Sequence, residues 1–130
     1  MKGAIVLSAD ADLVPKLRDR LREISLEYWD EPTTGELQVH DPATGLGFYF
    51  SLMEPGSEMS YTEPPHYPEP GVAMPDFPTV YGYDVDCRSE EFFVRMLSEL
   101  AGMTKHPIWV LDESDVLWDA RNVDPGRVHL

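Results

Sequence analysis

The segment from Glu54 to Pro78 constrains the fold most strongly, because it holds most of the 12 prolines of the chain. Proline fixes the backbone angle φ and removes an amide donor, so neither a long helix nor a central strand fits this segment. Acidic residues and large apolar ones such as Tyr61 and Phe77 are interspersed along it, without any lysine or arginine. We therefore expect a long acidic loop, of the kind that in compact domains is either functional or disordered.

The rest of the sequence predicts one α+β domain over residues 1–130, the usual size of a single domain. Apolar spacing predicts a helix that is capped by Asp10 or Asp12 and ends between Ser25 and Pro32, and a second helix from Ser89 to Gly102. Alternating or continuous apolar runs predict strands at 3–8, 36–41, 47–53, 79–87, 108–111 and 116–118. The order is then βαβββαββ, and the economical packing is a mostly antiparallel sheet with both helices on one face, plus the 54–78 loop.

The charge of the chain is large and unevenly distributed. The formal net charge is −14, and between Arg22 and Arg88 only His40 and His66 can carry a positive charge. Such a surface repels a phosphate backbone, so direct nucleic-acid binding is disfavoured. We expect one strongly negative face that attracts a basic protein partner, although acidic surfaces also serve solubility alone.

The number of cysteines and the length of the apolar runs indicate the cellular compartment of the protein. The single cysteine, Cys87, excludes an internal disulfide and is expected to be a buried apolar residue in a reducing compartment. The run Gly3–Leu7 is too short for a signal sequence, and no run reaches the roughly 18 residues that cross a bilayer. We therefore expect a cytoplasmic protein without membrane contact. No motif predicts a cofactor or a catalytic centre.

Two carboxylates, Asp84 and Asp86, share one side of the strand predicted at 79–87. Together with His40, and with Asp10 after the first strand, they could ligate the metal ion of a small hydrolase. A solvated acidic strand face explains the same pattern, and spacing alone does not bring His40 to this strand. The metal-dependent hydrolase stays an alternative, and an enzymatic role is the less favoured one.

The opening IVLSADADLVPKLRDRLREI, at residues 5–24, has an acidic pair after its first strand. Residues 104–107 (TKHP) supply a Lys-Pro pattern, and residues 50–56 (FSLMEPG) a loop after a strand. In these features the chain resembles a response-regulator receiver domain. Ser51 or Glu54 stands where the phosphate-accepting aspartate of that family would be. The resemblance implies a degenerate receiver, a regulatory module with alternating helices and parallel strands.

The C-terminal segment PIWVLDESDVLWDARNVDPGRVHL, at residues 107–130, combines a hairpin bearing Trp109 and Trp118 with a turn at Asp124-Pro125. In these residues it is similar to the ends of small acidic bacterial immunity-type proteins of polymorphic-toxin systems. The resemblance implies a bacterial, non-enzymatic binding protein that occludes a toxin, often a basic nuclease. It implies no particular contact residues.

The proline-rich segment supplies contact residues of the kind that such a role needs. Tyr, Phe and Met side chains, here interspersed among acidic residues, are types used as anchors at protein interfaces, and prolines lower the entropy that a loop loses on ordering. The predicted partner-binding residues are Glu58, Tyr61, Glu63, His66, Tyr67 and Glu69. The sequence thus favours an inhibitor or immunity protein for a basic toxin or nuclease.

Overall fold

The structure, a computed structural model, describes residues 3–53 and 66–130. Within them it contains two helices, α1 (Leu13–Leu21) and α2 (Glu90–Ala101). The strands are β1 (Gly3–Ser8), β2 (Glu27–Asp30), β3 (Leu37–His40), β4 (Gly47–Leu52), β5 (Tyr67–Pro68), β6 (Tyr81–Cys87), β7 (Ile108–Leu111) and β8 (Val116–Asp119). Two short 3-10 turns, Phe77–Thr79 and Ala120–Asn122, complete the regular structure.

All eight strands belong to one sheet, in the order β2-β3-β4-β6-β1-β7-β8-β5. Every pairing is antiparallel except that between β5 and β8. The α+β class and the mostly antiparallel sheet are therefore confirmed. The first strand pairs antiparallel with both β6 and β7, which differs from the parallel arrangement that the receiver resemblance implies.

The predicted order βαβββαββ is wrong because it lacks two strands. Helix α1 ends at Leu21, and the stretch assigned to its end contains β2, whose side chains alternate between exposed and half-buried. The other missing strand is β5, inside the predicted 54–78 loop, where Pro68 is tolerated because β5 is an edge strand. Residues 54–65 of that loop lie outside the described residues.

Both helices lie on the same face of the sheet, and the main core is between them and the strands. The apolar stripe Leu13, Leu17 and Leu21 of α1 is buried against alternate strand residues, which include Phe48 and Phe50. Helix α2 begins where Ser89 accepts a hydrogen bond from the Phe92 amide, as predicted for an N-cap. The start of α1 differs, because the Asp12 side chain at the N-cap makes no capping hydrogen bond.

The opposite face of the sheet is partly covered by residues 66–80, which we call the strap. Val72, Phe77 and Val80 of the strap pack with Leu7 and other residues of β1, β7 and β8 in a second, smaller core. The indole Nε1 of Trp109 donates a hydrogen bond to the Ala73 carbonyl at 2.8 Å. The strap therefore leaves the β2, β3, β4 and β6 part of this face uncovered. Within the described residues, neither helix has the length and apolar character needed to cross a bilayer.

Candidate functional site

The part of the sheet that the strap does not cover, which we call the open face, carries eight outward-facing side chains from four neighbouring strands. Strand register places Trp29, Gln38, Tyr49 and Asp86 in one row across β2, β3, β4 and β6. The open face consists of Glu27, Trp29, Gln38, His40, Tyr49, Ser51, Asp84 and Asp86. Trp29 is 54% exposed and Tyr49 is 40% exposed. Large aromatic side chains are thus presented to solvent beside carboxylates.

The four strands of the open face contain no lysine or arginine. Its one group with cationic character, His40, has Nδ1 3.6 Å from a carboxylate oxygen of Glu27. The side chains are held in place from below, since Phe48, Phe50 and Val85 alternate with them and are buried in the main core. The open face is therefore a rigid surface whose carboxylates lack basic neighbours on the same strands.

The arginines of α1 are used on the helix side of the molecule. The Arg18 guanidinium donates to both carboxylate oxygens of Asp30, at 2.8 to 3.0 Å. Arg20 pairs with Glu99 at 2.6 Å and with Glu23 at 2.8 Å. These cations pair with acids beside the helices and not with the carboxylates of the open face.

Asp84 lies at the centre of the sheet, next to Ser51 of β4 and Ile5 of β1. Burial raises the pKa of the Asp84 carboxyl above its ordinary value of 3.8. The charged form is disfavoured because neighbouring apolar groups displace water from it. A cationic group of a bound partner would stabilise the Asp84 carboxylate and offset part of its desolvation cost.

Two shallow cavities flank Tyr49 on the open face. One, of roughly 290 Å³, is lined by Trp29, His40 and Tyr49 among others. The other, of roughly 370 Å³, extends from Tyr49 past Asp86 to Arg88 at the end of β6. Both are wide enough for a side chain of a docked protein, and the aromatic rings form their walls.

Three of the four proposed metal ligands, His40, Asp84 and Asp86, share the open face without converging. His40 aligns with Gly47, and Asp86 aligns with Tyr49, so β4 lies between the imidazole and the carboxylates. Within residues 3–53 and 66–130, no three His, Cys, Asp or Glu side chains are grouped so that they could hold a metal ion. Asp10, the fourth proposed ligand, lies beyond the end of β1.

Asp10 is the centre of a polar cluster that sequence reasoning did not predict. Its carboxylate is paired with Lys16, accepts a hydrogen bond from Thr104 Oγ1 at 2.7 Å, and accepts one from the Asp12 amide at 2.8 Å. Burial raises the pKa of Asp10, but these contacts outweigh it and lower the pKa to about 2. The Tyr83 hydroxyl donates to the Asp10 carbonyl, so the cluster ties α1 to the sheet. An aspartate directly after a buried strand is the only local signal for it.

The predicted partner-binding residues that the structure describes, His66, Tyr67 and Glu69, do not lie on the open face. Glu58, Tyr61 and Glu63 are outside the described residues. His66 packs against the Phe77 ring, with centroids 5.1 Å apart, and Tyr67 is 57% exposed. The remaining one, Glu69, is paired with Arg127 of the C-terminal tail. The three described residues are at the β5 edge, which the strand order places opposite the β2 edge.

No protein-family model matches the chain, and no curated protein or solved structure matches it.

Proposed function

We propose that the protein is a non-enzymatic binding protein that occludes a basic protein partner, as an inhibitor or immunity protein does. The observation that supports this most is the composition of the open face, where Trp29 and Tyr49 are exposed among Asp84, Asp86 and Glu27. Acidic groups steer a basic partner and set its orientation, whereas aromatic rings supply most of the contact energy.

The rigidity of the open face favours binding further. Its side chains stand on strands that are paired on both sides, apart from those of the edge strand β2. Little conformational entropy is then lost when a partner docks, so more of the contact energy appears as affinity. Solubility alone would explain the carboxylates, but a soluble surface has no need of an exposed tryptophan.

Native co-purification followed by mass spectrometry tests the proposal. We expect a stoichiometric basic protein with the wild type. Neutralising two open-face acids by Asp84→Asn and Asp86→Asn should weaken its binding, and Trp29→Ala should weaken it by about tenfold or more. Calorimetry with the identified partner gives the affinities.

The matched control removes the same charge from the helix side. Asp12 and Glu91 are exposed near the starts of α1 and α2, so Asp12→Asn with Glu91→Gln gives the same net charge as the open-face double variant. Binding of this control should equal that of the wild type. Equal loss in both double variants, full binding by Trp29→Ala, or a stoichiometric acidic partner would count against the proposal.

A further inference from the structure

The strap and the C-terminal tail enclose a cleft at the β5–β8 edge, far from the open face. Two adjoining cavities of roughly 580 and 460 Å³ share Glu69, Trp118 and Arg127 as lining residues. Glu69 is fixed by the strap, because its amide donates to the Leu117 carbonyl at 2.9 Å. Trp118 is fixed from beneath, since its Nε1 donates to Asp112 at 3.0 Å. Hydrogen bonds therefore position both Glu69 and Trp118 in the cleft.

Arg127 lies between the two cavities and holds its guanidinium against both fixed groups. Its Cζ is 5.3 Å from the centroid of the Trp118 ring, and it forms an ion pair with the Glu69 carboxylate. The Arg127 side chain is 63% exposed, whereas that of Glu69 is 17% exposed. Arg127 thus forms the solvent side of the cleft, and the groups that hold its guanidinium lie beneath it.

The contact between Arg127 and Glu69 is not a well-formed hydrogen bond. The Oε1 atom of Glu69 is buried and is the atom that pairs with the Arg127 guanidinium, but within the described part of the chain no hydrogen bond to it has the required direction. Its contact with Arg127 is therefore an ion pair without directional geometry. A guanidinium that approached in the plane of the carboxylate could form two parallel hydrogen bonds, which are stronger. Asp119 and Glu90 add negative charge to the cavity walls.

We infer that this cleft is a binding site for the guanidinium group of a ligand or peptide, and that Arg127 occupies it in the free protein. A planar guanidinium stacks on the Trp118 ring and pairs with Glu69, as Arg127 already does. A ligand that displaces Arg127 joins the two cavities into one. Arg127 is then an internal competitor that weakens binding of outside guanidinium groups. The inferred guanidinium site is independent of the open face and of the proposed function.

Chemical rescue tests the inference. Arg127→Ala should lower the melting temperature and leave the Glu69 carboxylate and the Trp118 ring open. Methylguanidinium at about 20 mM, too dilute to denature, should restore at least half of that loss. Methylammonium, which cannot stack or pair in two places, should restore less. Arg121→Ala, in the same tail, is the control and should show no rescue.

A second variant gives the decisive comparison. In Arg127→Ala with Glu69→Gln, methylguanidinium should give no rescue, because the carboxylate is gone. Rescue of equal size in this double variant, or no rescue of Arg127→Ala, overturns the inference.

A measurement on the wild type covers the case in which Arg127→Ala does not fold. Arginine methyl ester should shift the NMR signal of the Trp118 indole N–H saturably in the wild type and not in Glu69→Gln. Absence of a saturable shift in the wild type, or its persistence in Glu69→Gln, would then overturn the inference.

Discussion

Asp10 and Asp84 show how position alone gives two carboxylates opposite effects on stability. Lys16, Thr104 and a backbone amide surround Asp10 and hold its pKa at about 2, below the ordinary 3.8. Among the residues that the structure describes, Asp84 has no such partners, and burial raises the pKa of its carboxyl. Folding therefore favours the charged form of Asp10 and the neutral form of Asp84, so the two residues respond to pH with opposite sign.

Asp10→Asn should destabilise the protein by roughly 2 kcal/mol at pH 7, because a pKa lowered from 3.8 to about 2 corresponds to that much folding energy. The stabilisation that Asp10 provides is fully present above the pKa of this carboxyl in the unfolded chain and is lost as the pH falls toward 2. Urea unfolding of the variant and the wild type between pH 2 and 7 measures the difference. Asp12→Asn is the control, since that side chain makes no capping hydrogen bond. Equal stability of Asp10→Asn and wild type at pH 7 would contradict the expectation.

Asp84→Asn should leave stability at pH 7 unchanged or raise it, because the charged form of this residue is the disfavoured one. In the wild type, the charged Asp84 carboxylate destabilises the folded state, and this destabilisation diminishes as the pH falls through the raised pKa. An NMR titration of the carboxyl carbon should place the pKa above 3.8. A midpoint below that value, or a clear loss of stability in Asp84→Asn, would show that a cation stabilises the carboxylate.

At the scale of elements, the strap is held by few contacts for its length. The Tyr67 amide donates to a carbonyl of the turn before β8, and the Glu69 amide donates to a carbonyl of β8. The Trp109 indole donates to the Ala73 carbonyl. Segments with so few hydrogen bonds open independently of the core. The strap is therefore the part of the described chain that we expect to open first.

Trp109→Phe should speed hydrogen exchange of the Tyr67 and Glu69 amides by about fivefold, since one hydrogen bond contributes on the order of 1 kcal/mol. Amides of β1 and β6 should keep their exchange rates. Mass spectrometry after proteolysis can separate the two regions. Trp29→Phe, at an exposed site, is the matched control. Unchanged exchange in the strap would show that its apolar contacts alone hold it.

The elements that sequence patterns did predict are those with a strong local signal. The alternation along β6 predicts Tyr81, Tyr83, Val85 and Cys87 on one face and the two aspartates on the other, and all four but Tyr81, which is 46% exposed, are buried. The strand β2 was missed because its four residues EYWD show no run of apolar side chains. The strand β5 was missed because two residues that include a proline carry no strand pattern, and only pairing with β8 defines them.

For the whole molecule, the sequence shows that lysine and arginine are absent between Arg22 and Arg88, but not where that interval lies in space. The strand order answers this, because β2, β3, β4 and β6 all come from the interval and are neighbours. Pairing of β4 with β6 spans the proline-rich segment, and no local pattern specifies such a long-range contact. The open face could therefore not be derived from spacing.

Association with a basic partner should slow steeply as NaCl rises from about 20 to 500 mM, since exposed charges are screened beyond a few ångströms at high salt. The double variant Asp84→Asn/Asp86→Asn should show a shallower dependence than the wild type. Stopped-flow rates with the partner identified by co-purification measure both slopes. Parallel slopes for the two proteins would show that long-range attraction acts elsewhere on the surface.

The position of β2 at the end of the sheet has a consequence for self-association. An outer strand offers unpaired backbone groups to a second copy, and stacking along it leads to fibres. Here Glu27, Asp30 and Glu31 lie along four-residue β2 and just after it. Two copies aligned there would bring both sets of carboxylates to a strand spacing of about 4.8 Å. The acidity of this edge therefore works against polymerisation.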